Sequence, residues 1–336
     1  MLKAIIILVF LAAPRWPEQE LLRFEFTRPV MGTQARIVLF AKEESVARRV
    51  ADAAFLRLEV LNQILSDYLE ESELTRLSRA AGGPAVPVSH ELFTVLAHAQ
   101  ELAVRSDGAF DVTVGPLTQL WRRSRRQRQL PEPGTLAKAK ALVGHRLMVL
   151  DREKQTVKLL RPGMRLDLGG IAKGYAVDEA MKVLKHAGVR HALVSLGGDI
   201  AVSEPPPGAT GWVIQIAPLR PDKDGGMPAL VLANQAVSTS GDAEQYVEID
   251  GRRYAHIIDP STGLGLRQRS SVTVVAPQGM AADALATAVS VLGPERGLAL
   301  VDATPEAAAM IIRLEAAGEA RSGTSRRWLE IPRRSN

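Results

Sequence analysis

The chain has 336 residues, 46% apolar and 24% charged, with 42 Lys+Arg against 37 Asp+Glu. That balance excludes a mostly disordered chain, and the length supports a core that needs no staples. The absence of Cys excludes disulfides, thiolate metal sites, a Cys nucleophile and a lipid-modified Cys.

At the N-terminus, Lys3 precedes the apolar run Ala4–Ala13, and Pro14 follows. Ten apolar residues are too few for a stable spanning helix. They match the n-region and h-region of an export signal or short N-terminal anchor over residues 1–16. A first buried strand is the alternative. Arg23–Arg28 and Gln34–Phe40 predict two strands around Met31-Gly32-Thr33. Val46, Val50, Ala54, Leu58, Leu61 and Leu65 recur at helical spacing and predict a helix over 45–65. Ser89 can cap a second helix that runs to Asp107 and stops at Gly108.

Trp121–Leu136, with Pro131, Pro133 and Gly134, predicts a surface excursion. Five Arg lie between Trp121 and Arg128, and Arg321–Asn336 adds five Arg and one Glu. Without those two clumps, 32 basic and 36 acidic residues remain, a net of −4 against +5 for the whole chain. Aromatics are 4%, so the stacking platform of a nucleic-acid binder is missing. The counterpart the clumps invite is an acidic partner or a membrane surface.

Short strands follow over 145–168, then a helix from Gly174 to Ala187, stopped by Gly188. His191–Leu196, Trp212–Ala217, Ala229–Leu232 and Val272–Ala276 read as strands, and Tyr246–Arg252 as a hairpin. Pro205–Gly208 and Asp222–Pro228 read as loops. A helix is expected over Met280–Leu292, with Pro294 opening another. These elements predict one α+β domain over 20–330, in one lobe or two.

Four segments carry candidate chemistry. In Asp167-Leu168-Gly169-Gly170-Ile171-Ala172-Lys173-Gly174 a strand runs through glycines into a helix start, and Lys173 adds a cation there. Such a turn lets a phosphate approach, although a plain tight turn has the same composition. Asp283 and Thr287, four apart, share one helix face and form a hard-oxygen pair suited to Mg²⁺. A dipole-favoured Asp with an interior Thr is the structural alternative. His256 stands just before the turn Asp259-Pro260-Ser261-Thr262-Gly263, where it can work as acid or base or stay structural. Asp111, after Ala109-Phe110 on a short strand-like piece, can accept from a ring N–H or close a turn. Thr239-Ser240-Gly241 reads as a small polar turn.

Taken in order, these segments form a series with Met31-Gly32-Thr33, Leu65-Ser66-Asp67-Tyr68, Ser72-Glu73-Leu74 and Leu196-Gly197-Gly198-Asp199. The series resembles the ApbE family of FAD:protein FMN transferases over about residues 31 to 293. The resemblance implies an exported, periplasmic or membrane-facing α+β protein with an ApbE-like, T-fold-related domain. Its sheet would be mixed but mainly antiparallel, with packed helices. It implies FAD as substrate and Mg²⁺ as cofactor. The FMN half passes to a Thr or Ser hydroxyl of an acceptor protein bearing Ser/Thr-Gly-Ala-Thr, and AMP is released. By motif match, Met31, Tyr68, Ala109, Phe110, Asp111, Asp167, Lys173, Thr239, His256 and Ile257 contact FAD. Gly170, Asp283 and Thr287 hold Mg²⁺. His256 or Asp283 is the expected base for the acceptor's proton, a reading of the residues and not of the resemblance. Some relatives hydrolyse FAD to FMN and AMP instead, and a non-catalytic FAD-binding protein is the third option.

Two stretches depart from the family pattern: Asp242-Ala243-Glu244-Gln245-Tyr246 after Gly241, and Leu264-Gly265-Leu266 after Gly263. Both bear on the rim where an acceptor docks. Pro207-Gly208-Ala209-Thr210 imitates an acceptor motif, but Pro207 replaces the hydroxyl residue, so self-modification is not expected.

Overall fold

Eight strands stand side by side in chain order, each antiparallel to the next. They are β1 (Leu22–Val30), β2 (Thr33–Ala41), β3 (Ala192–Leu196), β4 (Asp199–Val202), β5 (Gln235–Gly241), β6 (Ser270–Ala276), β7 (Ala308–Leu314) and β8 (Ala320–Thr324). The computed structural model describes residues 20–216, 219, 229–241, 246–315 and 319–334. The run Ala4–Ala13, the Asp222–Pro228 loop and the departure Asp242–Gln245 lie outside the described residues.

The sheet forms because its strands alternate. Ile37 and Leu39 of β2 enter one core while Val38 enters the other. In β7, Ile311 faces one way and Met310 and Ile312 the other. All seven residues of β6 are buried, because both its faces are covered. Met31 and Gly32 both have positive φ, 51° and 73°, the conformation that a two-residue β1–β2 hairpin demands.

Among the described residues, seven α-helices complete the frame: α1 (Glu44–Leu65), α2 (Glu73–Arg79), α3 (His90–Arg105), α4 (Gly115–Gln127), α5 (Pro133–Lys140), α6 (Ala172–His186) and α7 (Gly279–Asp302). On one face of the sheet α1 packs on α6, α6 on α7, and α7 on β5 to β7. Ser89 caps α3 by accepting from Leu92 N, as its position predicted. α7 is long and apolar enough to cross a bilayer, yet 56% of its most apolar window is buried, and Gly293 and Pro294 kink it. It is the central core helix. The other face is covered by a three-stranded sheet of Trp212–Ile214, Ala229–Leu232 and Arg333–Arg334, with Trp328 beneath it.

Residues 121–136 correct the expectation of a surface excursion. They lie largely in α4 and α5. Pro116 and Pro133 stand in the first turns of these helices, where a missing N–H is harmless. Leu117, Trp121 and Ser124 are the buried face of α4. Trp121 stacks edge-on against Tyr254 at 5.6 Å and donates to the Ala255 carbonyl at 3.1 Å. α4 thus holds the hairpin Tyr246–Ile249/Arg252–Ala255 in a small core of its own. Thr239-Ser240-Gly241 is also not a turn; it is the end of β5.

Candidate functional site

The first cluster forms where the Asp167–Gly174 turn meets α7 and the start of β4. Lys173, in the first turn of α6, has Nζ 2.7 Å from Asp199 Oδ2 and 3.8 Å from Asp283 Oδ2. Gly174 N donates to Asp283 Oδ2 at 3.0 Å. This close approach requires glycine: a Cβ on residue 174 would strike the Gly279 carbonyl and lie 2.7 Å from Asp283 Cβ. Asp178, one α6 turn further on, accepts from Gly279 N at 2.7 Å and Met280 N at 2.9 Å. It satisfies free N–H groups at the start of α7 and so pins α7 to α6. Thr287 lies one turn along α7 from Asp283 and abuts Gly170, where a Cβ would stand 2.7 Å from Thr287 Oγ1. The structure therefore brings Gly170, Lys173, Asp283 and Thr287 together, as the motif match implies.

Asp199 and Asp283 are 1% and 2% exposed, so their charges are costly. Burial pushes Asp283 up to about 7, and the Asp199 charge adds to this against Lys173 and the Gly174 N–H. Burial works against the Lys173 ammonium too, but Asp283 and Asp199 outweigh it and hold Lys173 above the usual lysine range. Asp199 Oδ1 is buried with no hydrogen-bond partner. Two carboxylates thus face one ammonium, with one oxygen orphaned. This charge deficit, beside the hydroxyl of Thr287, fits a hard divalent cation.

A second cluster flanks the first. Arg122 of α4 pairs with Asp67 at 2.6 Å and Asp167 at 3.3 Å, and its guanidinium lies 4.0 Å over the Tyr68 ring. Asp167 Oδ1 accepts from Gly169 N at 2.7 Å, fixing the turn that leads to Gly170. Burial raises the Asp67 carboxyl, the Asp167 charge adds to it, and Arg122 opposes both. Between Tyr68 and the end of α4 on one side and Tyr246–Glu248 on the other opens a cavity of about 730 Å³.

The remaining residues are placed as follows. Asp111 lies in a turn, not on a strand: its Oδ1 accepts from Thr113 N at 2.8 Å and Thr113 Oγ1 at 2.7 Å. Its Oδ2 is 3.9 Å from His145 Nδ1, too long for a hydrogen bond. Ala109 and Phe110 precede this turn, and Val112 within it accepts from Asp167 N at 2.8 Å. Met31 is half-buried against the main core, and Thr33 beside it meets Gly197 near Lys173. Thr239 N donates to Gly198 O at 3.1 Å, next to Asp199. His256 and Ile257 follow Ala255, the acceptor of the Trp121 indole, and are half-buried. Sequence reasoning assigned no role to Asp199, and gave Arg122 only the share of its clump in meeting an acidic partner or a membrane surface. The signals were Gly197-Gly198-Asp199 at a strand end, and Leu117, Trp121 and Ser124 at helical spacing after Pro116.

The ApbE family model matches residues 31–312, and the chain belongs to the ApbE family. Among its relatives, the FAD:protein FMN transferase of Vibrio cholerae is 32% identical over 318 residues, 94% of each chain. That of Klebsiella pneumoniae is 32% identical over 278 residues, 82% of this chain and 84% of its own. Among solved structures, the flavin transferase ApbE from Vibrio cholerae superimposes with a TM-score of 0.84 at 29% identity, covering 93% of this chain and all of that one. The apo flavinyl transferase ApbE of Pseudomonas stutzeri gives 0.81 at 30% identity, over 93% and 97%.

Proposed function

We propose that this protein is an Mg²⁺-dependent FAD:protein FMN transferase. The acceptor's Thr or Ser oxygen bonds to the FMN-side phosphorus of FAD. The bond from that phosphorus to the bridging oxygen breaks, and AMP leaves. The observation that carries this reading is the deficit at Lys173, Asp199 and Asp283, set against Gly170 and Thr287 on a glycine-rich helix start. Gly170, Asp283 and Thr287 would hold Mg²⁺, which supplies charge neutralisation at the pyrophosphate. Lys173 adds a fixed positive charge on the same side, and phosphoryl transfer depends mainly on such neutralisation and positioning.

Tyr68, stacked on Arg122, offers an aromatic wall to the flavin or adenine ring. A Ser-His-Asp set is unnecessary, because the nucleophile belongs to the acceptor. Of the two candidates for its proton, His256 is half-buried and reachable from solvent. Asp283 is buried and already engaged by Gly174 N–H. We therefore assign the base to His256. The apolar run after Lys3 supports export, so the acceptor would sit outside the cytoplasm or on the outer face of the inner membrane. Fractionation of the full chain tests that placement.

The test of function mixes the protein with FAD, Mg²⁺ and a small acceptor domain bearing Ser/Thr-Gly-Ala-Thr. A fluorescent acceptor band on a denaturing gel, with matching AMP, is expected. AMP with free FMN and a dark band would make the protein a pyrophosphatase. FAD binding with no AMP would make it a binding protein.

A further inference from the structure

Asp199 is held on both sides by the sheet. It pairs with Leu196 across the Gly197-Gly198 turn between β3 and β4, and with Ser238 of β5. Its carboxyl is almost wholly buried, and among the described residues Oδ1 has no hydrogen-bond partner. Lys173 stands on a flexible four-carbon stem that runs beside the same turn: a Cβ on Gly197 would lie 3.9 Å from Lys173 Cδ. Lys173 Nζ bonds Asp199 Oδ2 at 2.7 Å, while Asp283 Oδ2 is 3.8 Å from it, beyond bonding distance. Asp283 Oδ2 takes the neutral Gly174 N–H instead.

Stability alone does not call for this asymmetry. Two buried acids sharing one ammonium are best satisfied with Nζ between them, bonded to both. Here the rigid acid on the sheet holds the ammonium, and the acid on α7 keeps only a neutral donor. The margin is small: a shift of about 1 Å would bring Nζ within bonding distance of Asp283. Charge-assisted bonds to a buried carboxylate are strong, so a lysine seated on Asp283 would compete with a metal ion for the same oxygen.

We propose that Asp199 is a positioning residue that draws Lys173 away from Asp283 and so keeps Asp283 open to the divalent cation. Without it, Lys173 would close on Asp283 and occupy the cation's place. The inference rests on the metal assignment made above for Asp283. It goes beyond that assignment by giving Asp199 a part in metal binding without making it a ligand.

The test titrates Mg²⁺ alone into the parent, D199N and D199N/K173M by calorimetry, and solves the crystal structure of D199N. The single variant keeps the side chain's shape and removes its charge. Its Kd for Mg²⁺ should rise by roughly tenfold to a hundredfold, the effect of a charge-assisted bond that the metal must displace. Its Lys173 Nζ should lie within hydrogen-bond distance of Asp283. The double variant has the parent's net charge in this cluster and no lysine to compete. Its Kd should return to the parent's, a recovery that a merely misfolded site cannot give, while transfer stays low because the fixed positive charge is gone. A parental Kd in D199N would overturn the proposal. So would a raised Kd with Nζ still beside position 199, since Asp199 would then act through its charge or as a ligand. A double variant that binds as weakly as the single one would overturn it too. If the parent itself takes up no Mg²⁺, the metal assignment fails and this proposal with it; the other failures leave that assignment standing.

Discussion

Two clusters in this molecule have the same formal inventory, two carboxylates and one cation, and they solve it differently. Around Arg122, the planar fork reaches Asp67 and Asp167 together, and the guanidinium face covers Tyr68. Around Lys173, a point charge sits 2.7 Å from one buried carboxylate and 3.8 Å from another, and an oxygen of Asp199 is left without a partner. The arginine can serve two acids in separate directions because its donors are spread over a rigid plane. The lysine lies within close bonding distance of Asp199 alone, and Asp199 Oδ1 stays without a partner. The first arrangement is complete and presents a ring to a ligand. The second is incomplete in a way that a divalent cation corrects.

If the deficit is real, removing one of its carboxylates should separate stability from function. Asp283→Asn keeps an acceptor for Gly174 N–H and leaves Lys173 paired one-to-one with Asp199. Transfer should fall about a thousandfold, the loss expected when a metal site worth ~4 kcal/mol of barrier is removed. Urea denaturation should meanwhile show stability equal to or above the parent's, because an unfavourable buried charge has gone. Full transfer at low Mg²⁺ would end the metal assignment.

Lys173→Met makes the opposite change. It strands two carboxylates that are almost wholly buried. The cost should be about 3–5 kcal/mol in the same denaturation experiment. A loss below 1 kcal/mol would show that the cluster is not charge-limited.

Asp178 tests how α7 is held. Burial raises its carboxyl to about 6 from 3.8, against the Gly279 and Met280 N–H groups that favour the charged form. The folded state therefore keeps a proton between pH 4 and 6 that the unfolded chain releases. Its contribution is present below pH 4 and is lost as pH rises through 6, by at most about 3 kcal/mol. Asp178→Asn should flatten that part of the pH–stability curve. Equal slopes for the two proteins would reject it.

The lysine cluster was largely legible in the sequence and the arginine cluster was not, for physical reasons. Asp283 and Thr287 are four apart on a strongly apolar helix, and Lys173-Gly174 falls at a helix start as read, although the residues before it form a turn and not the expected strand. Local periodicity fixes which face each residue takes. The role of Asp199 depends on Lys173, 26 residues earlier, through a contact no local pattern records. Arg122 was hidden by composition: five arginines, Pro131 and Pro133 read as loop, yet α4 is stabilised by burying Leu117 and Trp121 against the hairpin. Tertiary packing overrode the local signal there. The Asp111 turn was an even choice from sequence, since an Asp that binds the N–H two residues on is compatible with either setting.

The smallest expected effect is the most discriminating between the two clusters. In Arg122→Lys the charge survives and the geometry does not. An ammonium cannot bond Asp67 and Asp167 at once and also lie flat on Tyr68. Losing the stack and one of two mostly buried ion pairs should cost about 1–2 kcal/mol. That loss should appear in the KM for FAD, roughly a tenfold rise, because the Tyr68 wall and the Asp167 turn both lose their anchor. kcat should change little, since the residues around the pyrophosphate are untouched. A steady-state titration of FAD at saturating acceptor separates these quantities. If KM holds and kcat falls instead, Arg122 acts on the reacting phosphates, and the division between a ring-binding cluster and a charge-neutralising one is wrong.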